Sequence, residues 1–174
     1  IGLDNYRQLF NDPVFMASLG NTFKYALMYM PLAIVLALAC ALAINAAGWL
    51  TGFFRTVYFL PVVTSVIATA LIWSVGFYQP RYGLFNQVFA LFGLPQQTFL
   101  RSPATALFAV VIYSVWKNLG YDIVIFMAGL SAIPTTFYEA AKVDGASRWQ
   151  VFRHITLPLL QPTMVFVVIT GIIN

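Results

Sequence analysis

The residues able to make or break bonds are few and far apart. The chain holds one histidine, His154, one cysteine, Cys40, and five carboxylates, Asp4, Asp12, Asp122, Glu139 and Asp144. His154 stands beside Arg153 with no carboxylate or thiol at a spacing that would make it a general base. Cys40 lies in an apolar stretch and excludes an intrachain disulfide and any multi-cysteine metal site. No HExxH, GxSxG or GxxxxGK[ST] pattern occurs, so zinc hydrolysis, an esterase nucleophile and direct phosphate binding lack their residues. Asp122 and Glu139 fall in segments of different character and cannot act as a catalytic pair. The reading is a non-enzyme without cofactor or metal of its own, and any ATP belongs to another chain.

The elements that carry these residues are apolar. Of 174 residues, 61% are hydrophobic and 8% charged, with a mean hydropathy of +0.84. A soluble domain carries about 25% charged residues, so water is the wrong solvent for this surface and a bilayer the right one. The net charge of +4 comes from nine scattered Lys and Arg with no basic stripe, which argues against nucleic acid. A helix crossing a hydrocarbon core of about 30 Å needs about 20 apolar residues. Four stretches qualify, at about 26–47, 56–78, 104–133 and from 158 to the last residue, 174. The expected fold class is all-α, a polytopic transmembrane bundle, because backbone in lipid must satisfy its own hydrogen bonds. Leu84 to Leu94 is too short and too polar, through Asn86 and Gln87, to be a fifth span. It reads as an interfacial helix broken at Gly93-Leu94-Pro95, and the amphipathic Asp4 to Phe10 reads the same way. The chain opens at Ile1 rather than Met and stops inside an apolar run, so four spans are read as a minimum and a flanking span is expected at each end.

The third span carries the polar residues that need explaining. Lys117 falls about 20 Å along a helix begun at Ala104, and a charge at mid-membrane costs about 2.5–3.5 kcal/mol. Asn118 and Asp122, four apart, share a face and could hydrogen-bond. Lys117 and Asp122 are about 140° apart around the axis and cannot pair within the helix. Two readings stand: Lys117, Asn118, Tyr121 or Asp122 line a hydrated translocation path, or they bond structurally to another helix. Trp73, Tyr113, Trp116 and Tyr121 could stack on the ring faces of a solute, although aromatics are ordinary in membrane helices.

The loop between the third and fourth spans, 134–157, is the most informative. Thr136 to Glu139 fits a capping box for a helix reaching about Asp144, and Gly145 suits a left-handed helix stop. Ser147 to Gln150 offers a second box, opening a short helix expected to end before Pro158. Both helices are too short to be stable alone. Trp149, Val151, Phe152 and Ile155 therefore need a surface, either the chain's own membrane domain and lipid headgroups or a partner.

Glu139-Ala140-Ala141, three residues, Gly145, nine residues, Ile155, one residue, Leu157-Pro158 reproduces, position by position, the EAA signature of permease subunits of ATP-binding-cassette importers. Gly2-Leu3-Asp4-Asn5-Tyr6, Ile133-Pro134, Asp144-Gly145-Ala146 and Thr156-Leu157-Pro158-Leu159 further resemble the carbohydrate-uptake branch, similar to the maltose and glycerol-phosphate permeases. The resemblance covers essentially the whole chain. It implies a type I importer permease fold, truncated here, in a bacterial or archaeal cytoplasmic membrane. It also implies that the loops 46–55 and 134–157 are cytoplasmic and 79–103 extracytoplasmic, a question that the chain's own cations, four against four on the two sides, leave open. The 134–157 loop would be a coupling helix seated on an ATPase subunit. Glu139 would face that subunit, Ala140 and Ala141 would allow close approach, Asp144 and Gly145 would make the turn, and Ile155, Leu157 and Pro158 would anchor the next span. The implied partners are an ATPase dimer binding ATP and Mg, a second permease forming a heterodimer, an extracytoplasmic solute-binding protein and lipid. A secondary transporter or channel of unknown substrate fits the composition equally well but has no use for that loop.

Overall fold

A computed structural model describes residues 2–46 and 51–173, without the side chain of Thr51. The expected first-span end at Ala47, residues 47–50 of the 46–55 loop and the last residue, Asn174, lie outside the described residues. All regular elements described are helical. They are α1 (Asp4–Asn11), α2 (Pro13–Ala46), α3 (Thr51–Val63), α4 (Val66–Ile72) and α5 (Leu84–Leu91), then α6 (Pro103–Ser131), α7 (Thr135–Val143), α8 (Arg148–Val151), α9 (Leu157–Leu159) and α10 (Gln161–Ile173). Wider π-helical turns, Trp73–Phe77 and Phe152–Thr156, follow α4 and α8.

The helices differ from the expected spans in instructive ways. Two of them, α2 and α6, are long and apolar enough to cross a membrane alone. The chain reaches four crossings only if two broken pairs each count as one, Gly52–Val63 with Val66–Phe77 and Arg148–Leu159 with Gln161–Ile173. α2 begins at Pro13 rather than near Ala26, because Lys24 ends an apolar run without ending a helix. Its start is set by Asp12, whose carboxylate accepts from the amide of Val14 at 2.8 Å, next to a proline that suits the first helical position. The stretch expected as one helix over 56–78 breaks at Thr64-Ser65.

Packing divides the chain into two compact units, Ile1–Pro31 with Ser65–Ser114, and Leu32–Thr64 with Val115–Asn174. In the first, the core is aromatic. Trp73 lies within 5.0–5.8 Å, centroid to centroid, of Phe77, Tyr78, Phe85 and Tyr113. Tyr78 donates its hydroxyl to the carbonyl of Ala109 at 2.7 Å. Asn86, buried on α5, donates to the carbonyls of Pro80 and Gln97 and accepts from the amide of Gln97 at 2.9 Å. The same residue that disqualifies Leu84 to Leu94 as a span thus fastens the loop after α5. That helix stops where Gly93 takes φ 68°, with Gly93 and Leu94 donating back to Ala90 and Phe89, a Schellman ending.

In the second unit, α6 is the centre. Ile123, Phe126 and Leu130 pack with Ala37, Leu38, Ala41 and Ile44 of α2 and with Leu160 and Val167. Ala33, Ala37 and Ala41, four apart and all buried, form the small-residue stripe that lets membrane helices approach closely. Gly120 serves the same end toward α3, where an added Cβ would overlap the carbonyl oxygen of Tyr58, and Gly129 toward Thr163 and Leu160.

Gly120→Val should therefore destabilise by about 1–3 kcal/mol, the usual range for overpacking. The check is the thermal midpoint in detergent, with Gly52→Ala as control because open space surrounds Gly52.

Candidate functional site

The loop from Thr135 to Leu159 is built as two short helices about a glycine turn. α7 does not begin with the expected Thr136–Glu139 capping box: no side chain caps its start, and Pro134 is the last extended residue, φ −58° and ψ 133°. The proline starts the helix two residues too early for that box and places Thr136 inside the first turn. Glu139 is consequently not tied to the helix start. The turn takes the form expected of it. Gly145 has φ 71°, its amide donates to Lys142 and that of Ala146 to Ala141 at 3.2 and 2.9 Å, again a Schellman ending. The second box is formed in full, with Gln150 N–H to Ser147 Oγ at 3.4 Å and Ser147 N–H to Gln150 Oε1 at 2.7 Å.

The second helix runs past its expected end. The π-helical turn Phe152–Thr156 changes the hydrogen-bond register, so Pro158 falls in the first turn of α9, where its missing N–H costs little. The chain then bends by 59° into α10, at the fully buried Leu160. Tyr138 and Thr156 approach hydroxyl to hydroxyl at 3.3 Å and tie the two halves together.

This frame sorts the loop residues by face. Ala141 is buried and Phe152 and Leu157 pack against the core of the second unit, so Ala141 spends its small size on the chain's own packing. Ala140 and Pro158 are exposed and Ile155 half-buried. At about 100° per residue, Glu139 lies on the far side of α7 from Ala141, with Val143, which is 87% exposed. Trp149 is also largely exposed, its ring 5.6 Å from that of Phe152. Two grooves flank the turn. One, ≈ 750 Å³, is lined by Tyr138, Lys142, Arg148, Trp149 and Phe152, and the other, ≈ 440 Å³, by Phe137, Ala140, Asp144, Gln150 and His154.

The polar residues of α6 are not one cluster. The ammonium of Lys117, a residue 7% exposed, donates to the backbone carbonyls of Pro61, Val62 and Thr64 at the end of α3, the last two at 3.2 and 2.8 Å. Its three N–H bonds have three acceptors, a bonding to another helix of the kind that the structural reading of Lys117 calls for. Asp122 is equally buried on another face, with Val115 and Phe126. Asn118 and Tyr121 are exposed in the chain and, three residues apart, are surface neighbours. Trp73 and Tyr113 belong to the aromatic core, which removes them as ring-stacking surfaces. The bond from Lys117 to α3 had one sequence signal, Pro61 in a charge-free run, which marks a weak helix end without naming its donor.

Residues 13–174 match the family model described as binding-protein-dependent transport system inner membrane component. The chain belongs to that family. It is 40% identical over 162 residues to a probable ABC transporter permease, YurN, of Bacillus subtilis, covering 91% of this chain and 55% of that protein. It is 34% identical over 174 residues to the trehalose/maltose transport system permease MalF of Thermococcus litoralis, covering all of this chain and 59% of that one. The chain thus spans little more than half the length of these relatives. A chain in the crystal structure of a bacterial ABC transporter involved in import of the acidic polysaccharide alginate superposes with a TM-score of 0.85 at 28% identity, over 98% of this chain and 60% of that chain. The fold is therefore that of an importer permease, as the resemblance implied, and this member of the family is a membrane protein.

Gln150→Ala removes half of the formed capping box, a loss of about 1 kcal/mol. Amide hydrogen exchange over 148–151 should rise about fivefold, with α7 unaffected.

Proposed function

We propose that this chain is a translocation-path subunit of an ATP-driven, binding-protein-dependent carbohydrate importer, a multi-pass protein of a bacterial or archaeal cytoplasmic membrane. The observation that carries the coupling part is the helix–Gly145–helix loop. Ala141, Phe152 and Leu157 fasten it inward while Glu139, Val143 and Trp149 remain outward. A short helix so fixed transmits a push without deforming. Glu139 supplies a charge for a basic residue of the ATPase, and Ala140 an approach without bulk. Asp144 and Gly145 hold the turn, and Ile155, Leu157 and Pro158 carry the motion into α10.

Carbohydrate as substrate draws on the relatives, among them the arabinooligosaccharide permease AraP of Bacillus subtilis and the lactose permease LacF of Rhizobium radiobacter. On that reading the loop 134–157 is cytoplasmic and 79–103 faces the other side. ATP and Mg bind an ATPase dimer outside this chain, which needs no cofactor itself. A solute-binding protein delivers the sugar, as one alginate transporter crystallised with an alginate-bound periplasmic protein illustrates, and a second permease completes the path. Asn118 and Tyr121 offer an amide and a ring on one exposed stripe of α6 suited to sugar hydroxyls and ring faces. Asp122, buried one turn on, orders that wall. A secondary carrier would share the membrane helices but leave the outward face of α7 without purpose.

Two experiments test this in the reconstituted transporter. Gly145→Val forces a β-branched residue into the left-handed region at about 1–2 kcal/mol, with open space around it. ATP hydrolysis should persist while uptake is lost, and normally coupled uptake would refute the loop's role. Asn118→Ala and Tyr121→Ala should each cut uptake about tenfold, the equivalent of about 1.4 kcal/mol. Reduced abundance with unchanged uptake per molecule would remove them from the path.

A further inference from the structure

The end of α3 poses a problem that no sequence motif addresses. A helix leaves its last four carbonyls without intrahelical partners, and in an apolar medium unsatisfied carbonyls are costly. Here the carbonyls of Pro61, Val62 and Thr64 converge on one point, and the occupant of that point is the ammonium of Lys117. Thr64 adds its own hydroxyl, donated to Pro61 at 2.7 Å. The negative end of the α3 dipole points the same way. Converging backbone carbonyls at an interrupted membrane helix are the ligand set by which proteins hold monovalent cations.

We propose that the carbonyls of Pro61, Val62 and Thr64 form a monovalent-cation site whose resident cation is the ammonium of Lys117. Lys117 is then a positioning residue. It replaces a diffusible ion with a tethered one, keeps the end of α3 unwound over Thr64-Ser65, and fixes the height of α6 against α3. Gly120, one turn along α6, allows the approach by which the ammonium reaches the carbonyls. The chemistry calls for N–H donors as well as charge, because each of the three carbonyls accepts a hydrogen bond from the ammonium. None of this depends on what the protein transports or on which partner covers its loop.

Lys117→Met separates this proposal from a merely tolerated buried lysine. Methionine is nearly as long and enters a membrane more readily, so a lysine that did nothing would be improved upon by it. The proposal expects the opposite in the whole protein reconstituted in lipid: a lower thermal midpoint, and backbone amide exchange over 62–65 raised at least tenfold. Lys117→Ala opens the site. There methylammonium, at matched ionic strength, should restore the midpoint and slow the exchange, whereas tetramethylammonium, which has no N–H, should not. Potassium supplies charge alone and should restore less than methylammonium. A Lys117→Met protein as stable and as protected as the original overturns the proposal, as does equal rescue by the two ammonium ions. If Lys117→Ala is lost from the membrane, exchange in Lys117→Gln decides. Protection over 62–65 equal to that of the original would overturn the site, and raised exchange there with α10 unchanged would support it.

Discussion

A carbonyl inside a membrane must have a donor, and the most demanding place for that rule in this chain is the break after Val63. Three carbonyls there are satisfied by one side chain from another helix, Lys117. That bond fixes much else. It requires α6 to lie close to α3, which the chain permits with Gly120 against the Tyr58 backbone. With α6 so held, its other faces receive α2 through the alanine stripe and α10 through Gly129. A charge in an apolar helix is thus the condition for interrupting a neighbouring one.

The loop after α6 follows a different logic, because it needs rigidity without a core of its own. Its first helix has nine residues and its second continues from Arg148 through the wider turn Phe152–Thr156 to Leu159, too short to be stable in isolation. Left-handed Gly145, the Ser147–Gln150 box and the Tyr138–Thr156 contact supply the constraint that length does not. Phe152 and Leu157, packed on the core that holds α6, and Leu160, buried at the bend into α10, join the loop to the membrane helices. What remains outward is mixed in chemistry, with Glu139, Val143 and Trp149 exposed alongside Lys142, Arg148 and Arg153, which suits engagement by another protein.

How much of this was legible beforehand depends on whether a feature is local. The all-helical membrane class follows from composition, and the Gly145 turn and Ser147 box from residues within four positions of each other. The Thr136 box does not form because Pro134 governs where α7 starts, a competition between two local signals. The run 56–78 reads as one span because nothing in an apolar stretch with one proline says that its carbonyls will be met from residue 117, more than fifty positions away. For the same reason the sequence leaves path and structure open alike for Lys117 and Asn118, adjacent residues of which the first is buried against α3 and the second exposed. Trp73 and Tyr113 were open to either role until the cluster around Phe85 became visible.

The most direct test of the account is where Val143 points in the assembled membrane complex. A photo-crosslinking side chain at Val143, on the outward face of α7, should capture the ATPase subunit, in a yield that changes when ATP binds. Capture of lipid or of the chain itself alone, in complexes whose ATPase is present and active, would contradict the claim that this loop is where the ATPase acts on the membrane helices.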